Sequence, residues 1–206
     1  SAAVNTGLHS GHDLDRNGEI DAIPGAKNYG GDCWGYGVYP GQYGMAILSR
    51  YPIEVASIRT FRNFRWLDMP GALLPHSPES TTDLAESWYA DEALQQMPLS
   101  SKSHWDVPIR IAGKRVHVLA SHPTPPVFDG PEDRNGRRNS DEIRFWVDYI
   151  GPMDDAEYIY DDQGRRGGIA AGESFVLMGD LNGDPLDGDG RQGIASLLAA
   201  PRILRY

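Results

Sequence analysis

The sequence predicts an α/β sandwich, and three observations carry that expectation. Short apolar strands run directly into polar loop residues, as in residues 116–126 (VHVLASHPTPP) and 175–185 (FVLMGDLNGDP). One segment, residues 141–150, places Ile143, Trp146, Val147 and Ile150 at i, i+3, i+4 and i+7, which is the apolar stripe of a helix. Two apolar stretches flank the tight turn Ala112-Gly113-Lys114, which reads as a hairpin. A sheet that fixes polar residues at its strand ends while loops expose them is a common way to build an active site.

Taken in chain order, residues 1–42 are dense in Gly, Asp and Asn and show almost no periodicity. Such a stretch stays ordered inside a compact domain when a ligand or function ties it down. A strand is predicted over residues 43–50, stopped by Tyr51-Pro52, with residues 53–61 as its hairpin partner. Residues 62–105 are loop-rich, broken by Pro70, Pro75, Pro78 and Pro98, with a short helix over 83–97. Strands follow at 107–111 and 115–120, the second apolar enough to be central. Ser140 is positioned to cap the helix over 141–150. A buried strand at 175–178 and a helix at 194–200 complete the chain, which carries no internal repeat.

With 206 residues, 40% apolar and 23% charged, the chain is sized and composed as one ordinary globular domain. It has no apolar run of the roughly 18 residues that a membrane span needs. Its first residues show no basic-then-apolar targeting pattern. Net charge is −10, which disfavours a basic nucleic-acid-binding face unless bound cations supply the positive charge. The single cysteine, Cys33, excludes a disulfide framework and reads as a small buried hydrophobe.

Two strand ends carry the chemistry. Asp180 and Asn182, two residues apart after an apolar strand, offer hard oxygen ligands of the kind Mg²⁺, Mn²⁺ or Ca²⁺ prefer. The same pair also reads as an Asx turn capping the strand. His122, held by a proline-rich stretch, can donate a proton or hydrogen bond to a phosphoryl oxygen, or serve as a structural histidine. His117, inside the strand, and His9, His12 and His76 read as structural.

Asp13, Asp15, Asn17, Glu19 and Asp21 form a third group. Their spacing matches an EF-hand calcium loop through its ninth position, with Gly18 at the sixth and Ile20 at the eighth. The twelfth position, where a bidentate Glu belongs, is Pro24, and no helical pattern flanks the loop. The pattern is compatible with bound Ca²⁺ and with a solvated Gly/Asp turn. Arg134, Arg137 and Arg138 could steer an anion but read better as a solvated loop before the helix. Asp184, Asp187 and Asp189 read as a solvated acidic loop, and Trp34, Tyr36 and Tyr39 as core.

Taken together, the strings PGQYGMAILSRYPI, DMPGALLP, HWDVPI, SHPTPP and GDLNGDP resemble the endonuclease/exonuclease/phosphatase superfamily, in a bacterial secreted branch. The resemblance covers most of residues 36–200. It implies a deoxyribonuclease I-like fold of four layers, two packed mixed sheets flanked by helices. It further implies divalent-metal-dependent hydrolysis of a phosphate ester, with Mg²⁺ or Mn²⁺ at Asp180 and Asn182. His122 would contact the scissile phosphate, Asp180 would orient or deprotonate the attacking water, and Asn182 would hold phosphate or water. A basic phosphate-binding residue is implied near Lys102, Ser103 and His104, with His104 the first choice; Tyr43 either lines the same cleft or packs at a strand edge.

Two features of that superfamily are not identifiable: an early Glu-bearing element and a closing Ser-Asp-His. Asn5 has no strand before it, and Glu19 sits in a Gly-rich loop. The expectation is therefore a partial domain, secreted or periplasmic and monomeric, whose substrate is a phosphorylated small molecule or a nucleic acid. The alternative is a non-catalytic, calcium-stabilised binding module.

Overall fold

A computed structural model describes residues 3–78, 86–188 and 190–204. Its centre is a four-stranded mixed sheet of β1 (Arg59–Thr60), β2 (His104–Ile111), β3 (Lys114–Ser121) and β4 (Ser174–Met178), in that spatial order. β1, β2 and β3 run antiparallel, and β3 and β4 run parallel. The helices are α1 (Asp91–Leu94), α2 (Arg134–Ile150) and α3 (Arg191–Ala199). A mixed sheet with helices packed on one face is the α/β class the sequence predicts. The described residues build one sheet of the two that the superfamily resemblance implies.

The β2–β3 hairpin closes through Ala112 and Gly113, both at positive φ (49° and 81°). Two consecutive left-handed residues form the tight turn whose twist matches antiparallel strands. Alternation then sorts the strands into two faces. Leu119, Phe175 and Leu177 meet Ile143, Trp146, Ile150, Ile194 and Leu197 of α2 and α3. The opposite face, Trp105, Val107, Ile109 and Val118, is covered by Val4, Met45, Ile47, Ile53 and Ile58.

Helix α2 organises the core. Ile143, Phe145, Trp146, Tyr149 and Ile150 are 0–1% exposed, and each such burial is worth roughly 1.5–3 kcal/mol. Their polar tips are satisfied across the sheet: Trp146 Nε1 donates to Ser121 Oγ at 2.8 Å and Tyr149 Oη to Asp106 Oδ2 at 2.6 Å. Asp106 also engages His117 Nδ1 at 2.6 Å, so His117 is structural, as the sequence indicates. The helix starts at Arg134, well before the predicted residue 141, and Ser140 is not its cap. The N-cap position is Asp133, and the first-turn amide of Asn135 donates to Asp129 Oδ2 at 2.6 Å.

Three further expectations are corrected. Residues 43–50 form no strand; Met45 and Ile47 turn inward from an extended segment that lacks ladder partners. Their alternation marks a half-buried path and not a hydrogen-bonded one. Residues 53–60 pair instead with β2, through the Ile53–Ile109 bridge and the Arg59↔Asp106 register. Of the helix predicted over 83–97, residues 83–85 lie outside the described residues, and only Asp91–Leu94 is helical beyond them. Among the described residues no helix is long and apolar enough to cross a membrane.

Candidate functional site

The parallel β3–β4 pair places Ala120 opposite Met178, so the next residues of both strands leave the sheet side by side. Gly179 is the junction. Its φ is 141°, and a Cβ there would lie 2.0 Å from the Ser121 carbonyl oxygen. Only glycine allows β4 to approach β3 this closely. As a result Asp180 Oδ2 lies 3.9 Å from His122 Nε2.

The Asp180–Asn182 turn is an Asx turn: the Asn182 amide donates to Asp180 Oδ1 at 3.0 Å, with Asn182 at a φ of 48°. The Asn182 side chain does more than close the turn. Its Nδ2 donates to the Pro123 carbonyl at 3.1 Å and ties the β4 loop to the loop after His122. Lys102 Nζ donates to the same carbonyl at 3.2 Å. His122, Pro123, Asp180, Asn182 and Lys102 therefore converge on one end of the sheet.

Lys102 is 4% exposed, and burial holds its pKa below the usual lysine value, with the Glu142 and Asp180 carboxylates pulling the other way. Burial also lowers His122, and the Lys102 charge lowers it further. A neutral His122 beside a buried cation and an exposed carboxylate is a polarised pair suited to proton transfer or to binding an anion.

Two α2 residues hold this arrangement, and the sequence reading missed both. Glu142 accepts from the Ser101 amide (2.7 Å), Ser101 Oγ (3.1 Å) and the Thr124 amide (2.6 Å). Asn139 Nδ2 donates to the carbonyls of Thr124 (2.8 Å), Leu181 (3.0 Å) and Asn182 (3.3 Å). One turn apart on one helix face, they bracket the loops that carry Lys102, His122 and Asn182. The signal available was polar residues at helical spacing where the charged loop runs into the predicted helix.

The remaining predicted positions separate. His104 is fully buried against Phe145 and Trp146, with Nδ1 2.5 Å from Ser100 Oγ and Nε2 2.7 Å from the Glu142 carbonyl. Both ring nitrogens are used internally, and strand alternation turns this side chain towards α2, so it does not face the loops. Lys102, two residues earlier, does. Tyr43 is 52% exposed in a loop, and among the described residues no hydrogen bond or ring contact joins it to the site. Arg138 is buried, holding the Leu99 and Pro98 carbonyls at 2.9 and 2.8 Å, and Arg134 pairs with Glu132, so neither is a free steering charge. Tyr36 and Tyr39 are more than half exposed and not core. Cys33 is buried and its thiol is pushed up to about 11. Asp189 lies outside the described residues.

Asn5, unassigned by any strand pattern, is buried beside the Lys102 segment. Its amide donates to the Lys102 carbonyl at 2.9 Å, and its Nδ2 to the Ser100 and Arg62 carbonyls at 2.8 Å each. In the N-terminal loop, Asp13 and Asp15 group with Asp32, whereas Glu19 and Asp21 do not join them. Glu19 accepts from Asn28 Nδ2 at 2.9 Å, Asp21 from the Ile23 amide at 3.4 Å, and Asn17 Oδ1 from the Glu19 amide at 2.7 Å. Burial raises the Asp32 carboxyl; the Leu14 and Asp21 amides pull it back, and the Asp15 and Asp13 charges push it up again.

A profile of the endonuclease/exonuclease/phosphatase family matches residues 6–202. The chain belongs to this family. No curated protein and no solved structure matches the chain. Membership makes this a chain of a family of phosphoester hydrolases that typically depend on divalent metals, and it includes the irregular N-terminal segment from Thr6 onward.

Proposed function

We propose that the chain hydrolyses a phosphate ester at the β3–β4 strand ends, with His122, Asp180, Asn182 and Lys102 as the working groups. The observation that carries this reading is the 3.9 Å approach of His122 to Asp180 beside the buried Lys102. Water attacks phosphorus as the bond to the leaving oxygen breaks. Asp180 orients that water and accepts its proton, since its side chain is exposed towards solvent. His122 hydrogen-bonds a phosphoryl oxygen that gains charge in the transition state. Lys102 adds positive charge from below the loop, and the Asn182 side-chain oxygen positions phosphate or water.

The donor set fits a hydrated Mg²⁺ or Mn²⁺, which is commonly held by one or two carboxylates plus substrate oxygens. Asp180 and Asn182 would hold it, and it would neutralise charge on the phosphoryl group. The net charge of −10 favours a small soluble phosphate ester over tightly bound duplex nucleic acid. We place the protein outside the cytoplasm, as a monomer.

Hydrolysis of bis-p-nitrophenyl phosphate and p-nitrophenyl phosphate with Mg²⁺ or Mn²⁺ tests the proposal. Turnover abolished by EDTA and restored by metal is expected. Turnover that survives EDTA, or none on any phosphate ester, would remove it.

A further inference from the structure

Asp13 and Asp15 come from an irregular loop, and Asp32 from a 3-10 turn seventeen residues after Asp15 (Tyr29–Asp32). One carboxylate oxygen from each lies within 4.8 Å of the others. Three acidic groups on a surface are ordinary, but Asp32 is not on the surface. It is 0% exposed; its Oδ1 accepts from the Leu14 amide at 2.8 Å, and among the described residues its Oδ2 has no hydrogen-bond partner. A buried carboxylate oxygen without a partner is costly, and two neighbouring like charges add to that cost. Among the described residues no arginine or lysine forms an ion pair with any of the three.

The backbone keeps the three together. A Cβ at Gly31 would fall 2.1 Å from Asp15 Oδ2, so only glycine lets that carboxylate lie against the 3-10 turn. Amides of Asn17 and Gly18 fix Asp13 at 3.0 and 2.9 Å, and the Asn17 amide also reaches Asp15 at 3.2 Å.

We infer that Asp13, Asp15 and Asp32 bind one Ca²⁺, with buried Asp32 standing in for the absent acidic residue at the end of the loop. Ca²⁺ takes six to eight oxygens at roughly 2.3–2.6 Å, so its ligand oxygens lie up to about 5 Å apart. Carboxylates within 4.8 Å of one another satisfy that span. Carbonyls of the loop and water supply the remaining ligands. The ion staples residues 13–32, which carry little regular structure, to the body of the domain. That body is close: a Cβ at Gly35 would lie 2.1 Å from the Ser101 carbonyl, next to Lys102. This site is separate from the strand-end site and does not depend on the catalytic reading.

The test uses the whole chain and reads binding, not turnover. Calcium titration by calorimetry is combined with thermal melts in Ca²⁺, Mg²⁺ or EDTA at matched ionic strength. At about 100 times Kd, Ca²⁺ is expected to raise Tm by roughly 5–10 °C. Asp32→Asn keeps the side-chain size and an acceptor for the Leu14 amide, and is expected to weaken binding at least tenfold. Asp15→Asn should act likewise. Trp88 Nε1 donates to the Leu14 carbonyl at 3.3 Å, so Tb³⁺ replacing Ca²⁺ should luminesce through Trp88 and lose that signal in Asp32→Asn and in Trp88→Phe. Native-like affinity in Asp32→Asn, or an equal response to Mg²⁺, would overturn the inference. So would binding lost in Asp180→Asn but kept in Asp32→Asn, which would put the ion at the strand ends.

Discussion

Acid should weaken the fold through His104. Burial depresses this histidine from 6.5 to about 4, with the Glu142 charge and carbonyl opposing. The hydrogen bonds fix a neutral ring, with Nε2–H donating to the Glu142 carbonyl and Nδ1 accepting from Ser100 Oγ. As pH falls below 6.5 the unfolded chain takes up the proton first, so the unfolded state binds more protons and stability falls. The loss continues down to about pH 4 and then levels. An interval of roughly 2.5 in pH, at about 1.4 kcal/mol per pH unit, is about 3 kcal/mol. That is a large part of the ~5–15 kcal/mol typical of a domain. Urea unfolding at intervals from pH 7.5 to 4 measures it, and proton NMR of the histidine ring locates the midpoint. In Ser100→Ala the acceptor nitrogen loses its donor, and the midpoint should rise. A ring titrating near 6.5 with flat stability across the interval would refute the buried, internally bonded placement.

Glu142→Gln keeps the shape but puts an NH₂ against an amide donor and leaves Lys102 without its buried counter-charge. It should cost about 3–5 kcal/mol in urea unfolding. Gly179→Ala sets a Cβ against the Ser121 carbonyl in a left-handed region, and a destabilisation of about 2–4 kcal/mol with loss of turnover is expected. An Ala variant as stable and active as the native chain would mean the strand ends do not approach as described. Lys102→Gln removes a charge that depresses His122, so the titration midpoint of the His122 ring, read by proton NMR, should rise; an unmoved midpoint separates the two residues.

The parts legible in sequence were those governed by local rules. The β2–β3 hairpin follows from Ala112-Gly113, and the inner face of α2 from its 3.6-residue stripe; β4 follows from its apolar run, but it is not the buried strand expected, since Val176 and Met178 face outward at 40% and 48% exposure. Convergence of His122 with Asp180 follows once two apolar strands end in polar residues and lie parallel. What escaped was long-range or polar. Residues 134–138 read as a charged loop, and Asn139 and Glu142 carried no signal of their roles, because Arg138, Asn139 and Glu142 are satisfied only by partners about 15 to 43 residues away. His104 was the first choice because the superfamily resemblance implies a basic residue near the start of this strand, but which face it occupies is decided by α2. Lys102 lies just before the strand, where alternation says nothing. Asp32 belongs to no spacing pattern, and only folding brings it to Asp13 and Asp15. The extended segment 43–50 shows that alternation reports burial and not pairing.

A double-mutant cycle of His122→Ala and Asp180→Asn on bis-p-nitrophenyl phosphate, with Mg²⁺ or Mn²⁺ in excess, tests the strand-end site most directly. Groups that act as a unit fail to add. Each single variant is expected to lose about 10²–10⁴-fold in kcat/KM, and the double variant little more than either alone. Single variants with native turnover, or losses that multiply in full, would contradict a shared catalytic role for the two residues.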